Sequence, residues 1–73
     1  MLRQSIVIYL SINGQEQEFQ EPLAVGQLLE KMNLQGKRLA IEKNGEIVPR
    51  SSFENTYLKT GDKIEIVLAV GGG

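Results

Sequence analysis

Two Asn-Gly dipeptides, Asn13-Gly14 and Asn44-Gly45, each stand between short runs of alternating apolar residues. Asn and Gly both reach positive φ at little cost, so a two-residue Asn-Gly loop is the strongest short-range sign of a β-hairpin. Two such hairpins leave few options for a chain of 73 residues. Ahead of the first turn, Ile6, Ile8, Leu10 and Ile12 share one face at period two, and Val7 and Tyr9 opposite them are also apolar. That predicts a central strand. Gln15–Gln20 then returns as a strand that is polar apart from Phe19, as at an exposed edge, and Glu21-Pro22 ends it because proline cannot donate to a ladder.

Between the hairpins, Val25, Leu28, Leu29 and Met32 fall at i, i+3, i+4 and i+7 and form one apolar helical stripe. The start of this helix, at Leu23-Ala24, has no Ser, Thr, Asp or Asn cap, and Gly26 weakens its first turn. Packing on the sheet must therefore hold it, and Asn33 or Gly36 can supply the left-handed residue that closes it. Leu39–Lys43 and Glu46–Val48 flank the second turn, and Pro49 stops the pairing. Ser51 with Glu54 three residues later matches a capping box and predicts one helical turn, pinned to the core by Phe53, Tyr57 and Leu58. After a tight turn at Thr60-Gly61-Asp62, Lys63–Val70 is the last strand, and its second half, apolar on both faces, reads as buried.

The first and last strands are the most apolar, so they should lie side by side with one helix crossing a mixed sheet of four or five strands. This is an α+β arrangement of the β-grasp, or ubiquitin-like, type, expected over residues 1–70, with 71–73 as a flexible C-terminal tail. The two hairpins do not make a repeat protein, because two units around one helix are too few for a solenoid.

Composition narrows function. The chain has no cysteine and no histidine, which excludes cysteine chemistry, the usual general base and the commonest metal ligand. At this length a domain buries only ~60% of its unfolded surface and has little room for a deep cleft. Eight basic and nine acidic residues leave no strong field for nucleic acid or anionic membrane. No apolar run approaches a membrane span, and no signal-peptide pattern follows Met1, so a cytoplasmic location is expected. A carrier or a binding module fits better than a self-contained enzyme.

Gly71-Gly72-Gly73 follows the last strand with no linker. Three glycines form a thin arm, able to thread a channel that a Cβ would block, and they leave the terminal carbonyl unhindered toward a nucleophile. A carboxylate is a poor electrophile, since its leaving group would be oxide. Adenylation of Gly73 by ATP supplies a good leaving group, and sulfide transfer then leaves a thiocarboxylate. Fraying is the ordinary fate of a glycine terminus. Directly behind a β-grasp pattern, the reactive reading takes precedence.

Several blocks carry a family resemblance over nearly the whole length: Ile12-Asn13-Gly14, Leu28-Leu29, Asn44-Gly45-Glu46-Ile47-Val48-Pro49-Arg50, Leu58–Ile66 and Ala69-Val70-Gly71-Gly72-Gly73. In this order they resemble the ThiS family, the bacterial sulfur carriers of thiamin thiazole synthesis. One departure is Ala24, where relatives often place a threonine cap. The resemblance implies adenylation of Gly73 by an activating enzyme of the ThiF type, related to ubiquitin E1 and using ATP and magnesium. It implies sulfur supply through a persulfide donor and delivery to thiazole synthase of the ThiG type. Gly71 and Gly72 would be gripped by these partners, and no cofactor or metal is expected on the carrier itself.

Other residues admit partner roles beside simpler ones. Lys43, Arg50, Lys59 and Lys63 could steer an acidic partner, but such side chains are commonly a solvated surface. Tyr9, Phe19, Leu23 and Phe53 could form a docking patch, though core packing or isolated exposure is the ordinary role. Glu16, Glu18 and Glu21 alternate with Gln on an edge strand, where solubility explains them. Asp62 reads as turn chemistry. Three rivals to the thiazole carrier remain: a carrier for molybdopterin synthase, an inert ubiquitin-like binding domain, and a modifier joined through Gly73 to target lysines. The two-residue Asn13-Gly14 loop favours the thiazole role, because molybdopterin-type relatives usually carry a longer insertion near the first hairpin.

Overall fold

The computed structural model describes residues 6–69. Strand β1 (Val7–Ile12) turns through Asn13-Gly14 into β2 (Gln15–Gln20), and β3 (Leu39–Lys43) turns through Asn44-Gly45 into β4 (Glu46–Val48). In both turns the two central residues have positive φ, 50° and 85° in the first and 53° and 88° in the second, as a type I′ hairpin requires. Helix α1 (Val25–Lys31) lies between the hairpins, and β5 (Lys63–Leu68) closes the chain. The sheet order is β2-β1-β5-β3-β4. Only β1 and β5 run parallel; the other neighbours are antiparallel. The expected β-grasp is thus present, with the last strand in the middle of a five-stranded mixed sheet.

One face of the sheet and one stripe of α1 make the core. Ile8, Leu10, Ile12, Ile41, Val48, Ile64 and Ile66 point toward Val25, Leu28 and Leu29, and all are buried. Ile6 was expected on this face but is 57% exposed. The β1–β2 register ends at Val7↔Gln20, so Ile6 lies past the covered part of the sheet.

The uncapped helix start finds its partners far along the chain. The N–H groups of Val25 and Gly26 donate to the carbonyls of Thr56 and Phe53, both at 2.9 Å. Gln27 reaches back with Oε1 to accept the Ala24 N–H at 2.9 Å. Carbonyls of the later loop therefore do the work of a cap side chain, satisfying donors that every helix start leaves open. At the other end the Leu34 N–H donates to Leu29 and the Asn33 N–H to Glu30, with Asn33 at φ 60°. This is a Schellman closure, with asparagine in the left-handed position.

Two expectations for the later loop are corrected. The helical turn is a 3-10 helix at Arg50–Ser52 with Pro49 before it, and no side chain caps it. Ser51 lies inside the turn rather than at its cap, because Pro49 already has the fixed φ that leads a chain into a helical turn. Leu58 is buried and Phe53 packs against the core, but Tyr57 is 60% exposed. Tyr57 instead joins Ala24 in an isolated backbone bridge. No helix among the described residues is long and apolar enough to cross a membrane.

Candidate functional site

β5 leads to the glycines, and its surroundings change along its length. Ile64 is wholly buried and Ile66 nearly so, whereas Val67 is 60% and Leu68 47% exposed. The expectation of a buried second half is therefore wrong, and the register shows why. On one side β1 pairs only through Ser11↔Lys63 and Ile12↔Ile64, then turns away at Asn13. On the other side β3 continues to Leu39↔Leu68, and the Ala69 N–H donates to the Arg38 carbonyl at 2.9 Å. A central strand is flanked on both sides only as far as its neighbours reach. The apolar residues past that point stay exposed.

The last rung on the β1 side is made by a side chain. Asn13 Oδ1 accepts the Ile66 N–H at 2.7 Å, and Asn13 Nδ2 donates to the Ile66 carbonyl at 3.1 Å. Its own N–H donates to the Ile64 carbonyl at 2.8 Å. The carboxamide thus offers the donor and acceptor that one more peptide unit of β1 would have offered. Sequence reading treats Asn13 as a turn former and misses this contact.

At the other end of β5, Asn44 and Asp62 form a second lock. Asn44 Nδ2 donates to Asp62 Oδ1 at 2.9 Å, and Asn44 Oδ1 accepts the Lys63 N–H at 2.8 Å. Asp62 is 2% exposed, and its second oxygen accepts the Lys59 N–H at 2.9 Å. Asp62 is a turn residue, as expected, and it also ties the second hairpin to the start of β5.

The other candidates do not gather at the exit of β5. Lys43 and Lys63 lie at the starting end of β5, opposite its exit, where Lys43 pairs with Ile64 and Lys59 is bound to Asp62 through its backbone. Arg50 is the one of these cations near the exit end: its Nη2 reaches the carbonyl of Lys37 at 3.5 Å, next to Arg38, whose own carbonyl accepts the Ala69 N–H. Leu23 is buried, and Phe19 and Phe53 pack against the core, so these three form no docking patch with Tyr9. Among the described residues no three acidic side chains converge to hold a metal ion, Glu16, Glu18 and Glu21 included. On the face of the sheet away from α1, Val67 pairs with Ala40, and Ile47 lies one strand further out; all three are exposed. Val67 and Ala40 of this small apolar patch lie at the exit end, and Ile47 lies level with Glu65, nearer the start; alternation places all three on a solvent face, which is why sequence reading passes over them. Gly71, Gly72 and Gly73 lie outside the described residues.

Comparison with known proteins places this geometry. A thiazole synthase of Paramagnetospirillum magneticum is 42% identical over 64 residues, covering 88% of this chain but only 20% of that protein. The ycf40 protein of Porphyra purpurea is 39% identical over 90% of this chain and 93% of its own length. Among solved structures, the crystal structure of the thiamine biosynthesis protein ThiS from Geobacter metallireducens superposes with a TM-score of 0.78 at 33% identity, covering 90% of this chain and all of that one. A solution structure of a thiamine biosynthesis protein from that organism gives 0.75 at 32% identity, covering 90% of this chain and 88% of that one. The ThiS family model matches residues 9–73, from the first strand through all three glycines, and the chain belongs to the ThiS family.

Proposed function

We propose that the protein is a sulfur carrier of thiamin thiazole synthesis whose reactive group is the Gly73 carboxyl. The observation that carries this reading is the family match, which runs through Gly71-Gly72-Gly73 as well as the folded part. An activating enzyme of the ThiF type, using ATP and magnesium, adenylates the carboxylate with loss of pyrophosphate. A persulfide donor displaces AMP to give an acyl persulfide, and a thiol then cleaves its S–S bond, forming a disulfide and leaving a thiocarboxylate, which a ThiG-type thiazole synthase consumes. The carrier contributes a glycine arm that enters a narrow site and a domain that holds it there. Ordering the arm costs ~1–2 kcal/mol per residue, so the domain must contribute contacts that offset it. Val67 and Ala40, exposed at the exit end, are suited to this.

A thiazole synthase relative that carries a stretch similar to this chain within a much longer polypeptide supports the choice of acceptor.

Intact-mass measurement after incubation with the activating enzyme, ATP, magnesium and a sulfur source tests the reading. One oxygen should be exchanged for one sulfur, and removal of Gly73 should abolish the change. An unchanged mass with a competent enzyme would indicate an inert domain, and a ladder of conjugates a protein modifier. Sulfur delivery to molybdopterin synthase in place of thiazole synthase would move the protein to the other pathway.

A further inference from the structure

We infer that Asn13 is a positioning residue for the reactive arm: its side-chain amide sets the point on β5 beyond which the strand leading to the arm is held from the β3 side alone. The inference rests on the sulfur-carrier reading for its purpose and on the geometry at Ile66 for its mechanism.

β1 must leave the sheet at Ile12, because the hairpin to β2 begins there. Without a further contact, β5 would lose its β1-side neighbour after Ile64. The Asn13 carboxamide fills the next rung, holding both the N–H and the carbonyl of Ile66 at 2.7 and 3.1 Å. Past it, Val67–Ala69 is held from the β3 side, ending with the bond from the Ala69 N–H to Arg38. The rung therefore makes Ile66 the last residue of β5 held on both sides.

Few residues could take this position. It needs positive φ, here 50°, which Asn tolerates better than other residues with a Cβ. It also needs one donor and one acceptor in a plane at the reach of a short side chain. Asp lacks the donor, Ser lacks the second atom, and Gly lacks both. The turn alone would accept Gly-Gly, so the asparagine is selected by Ile66 as well as by the hairpin.

Loss of the rung moves the two-sided part of β5 back to Ile64 and lengthens the one-sided, more mobile stretch that must be steadied when the arm is captured. The test compares Asn13→Gly with Asn44→Gly. Glycine keeps positive φ without strain, so each variant removes only the side-chain bonds. Asn44→Gly removes as many of them as Asn13→Gly, at the opposite end of β5, and so controls for stability. The KM of the activating enzyme for Asn13→Gly should rise about fivefold, with kcat changed less than about twofold, because the added cost falls on ordering. Asn44→Gly should leave KM within about twofold of wild type although its melting temperature falls at least as far. Amide exchange at Ile66 should quicken about tenfold or more in Asn13→Gly and not in Asn44→Gly. Asn13→Asp, which keeps the acceptor but loses the donor, should shift both readouts in the same direction.

Wild-type KM and exchange in Asn13→Gly would overturn the inference, as would KM values in the two variants that simply follow melting temperature. Should wild-type protein not be turned over at all, the carrier reading fails instead, and exchange at Ile66 alone then decides whether Asn13 holds the strand.

Discussion

The two ends of β5 have similar apolar alternation and opposite environments. At the start, Asp62 and Lys63 are held by Asn44, and Ile64 is sealed between β1 and β3 under the helix. At the end, Val67 and Leu68 are exposed, with a neighbouring strand on one side. An alternating pattern states which residues prefer to leave water. How far the neighbouring strands extend decides which of them do. In this protein the starting end is sealed into the core, and the finishing end leaves apolar surface exposed.

Substitutions along the strand can break that contrast. Ile64→Ala should cost about 3–4 kcal/mol in urea unfolding, since it leaves a cavity in a fully buried site. Asp62→Ala should cost about 2–3 kcal/mol, because Asn44 Nδ2 and the Lys59 N–H lose their acceptor at a buried position. Leu68→Ala should cost less than about 1 kcal/mol, as its side chain is already half in water. If it cost as much as Ile64→Ala, the end of β5 would be part of the core and the contrast would fail. Val67→Asp should change stability by no more than about 0.5 kcal/mol, the usual range for an exposed site. It should nonetheless weaken association with the activating enzyme by about tenfold, measured by calorimetry. Unchanged association would remove the exposed patch from the docking surface.

Much of the fold is legible in the order of residues alone. Both Asn-Gly turns, the polar edge strand, the helical stripe and the central pairing of first and last strands follow from period and turn chemistry. These are local signals, set by residues a few positions apart. The misreadings share a different cause. Tyr57 and the end of β5 have apolar residues at periodic positions, but nothing nearby in sequence states that the covering element has run out. The 3-10 turn begins at Arg50 because Pro49 presets the entry, which outweighs the Ser51–Glu54 pattern.

The site divides in the same way. The three glycines and the chemistry of a terminal carboxyl are readable from the chain, as is the family, because they depend on residue identity alone. The Asn13 rung, the loop carbonyls that cap α1 and the patch of Val67, Ala40 and Ile47 are not. Each joins groups far apart along the chain, Asn13 to Ile66 and Val25 to Thr56 among them. Sequence by itself determined the elements and the family, since backbone preference and residue identity are carried residue by residue. Tertiary structure alone decided how far β5 is flanked and which of its residues stay exposed, since a hydrogen bond or an exposed face between distant segments exists only once the sheet has brought them to within a few ångströms.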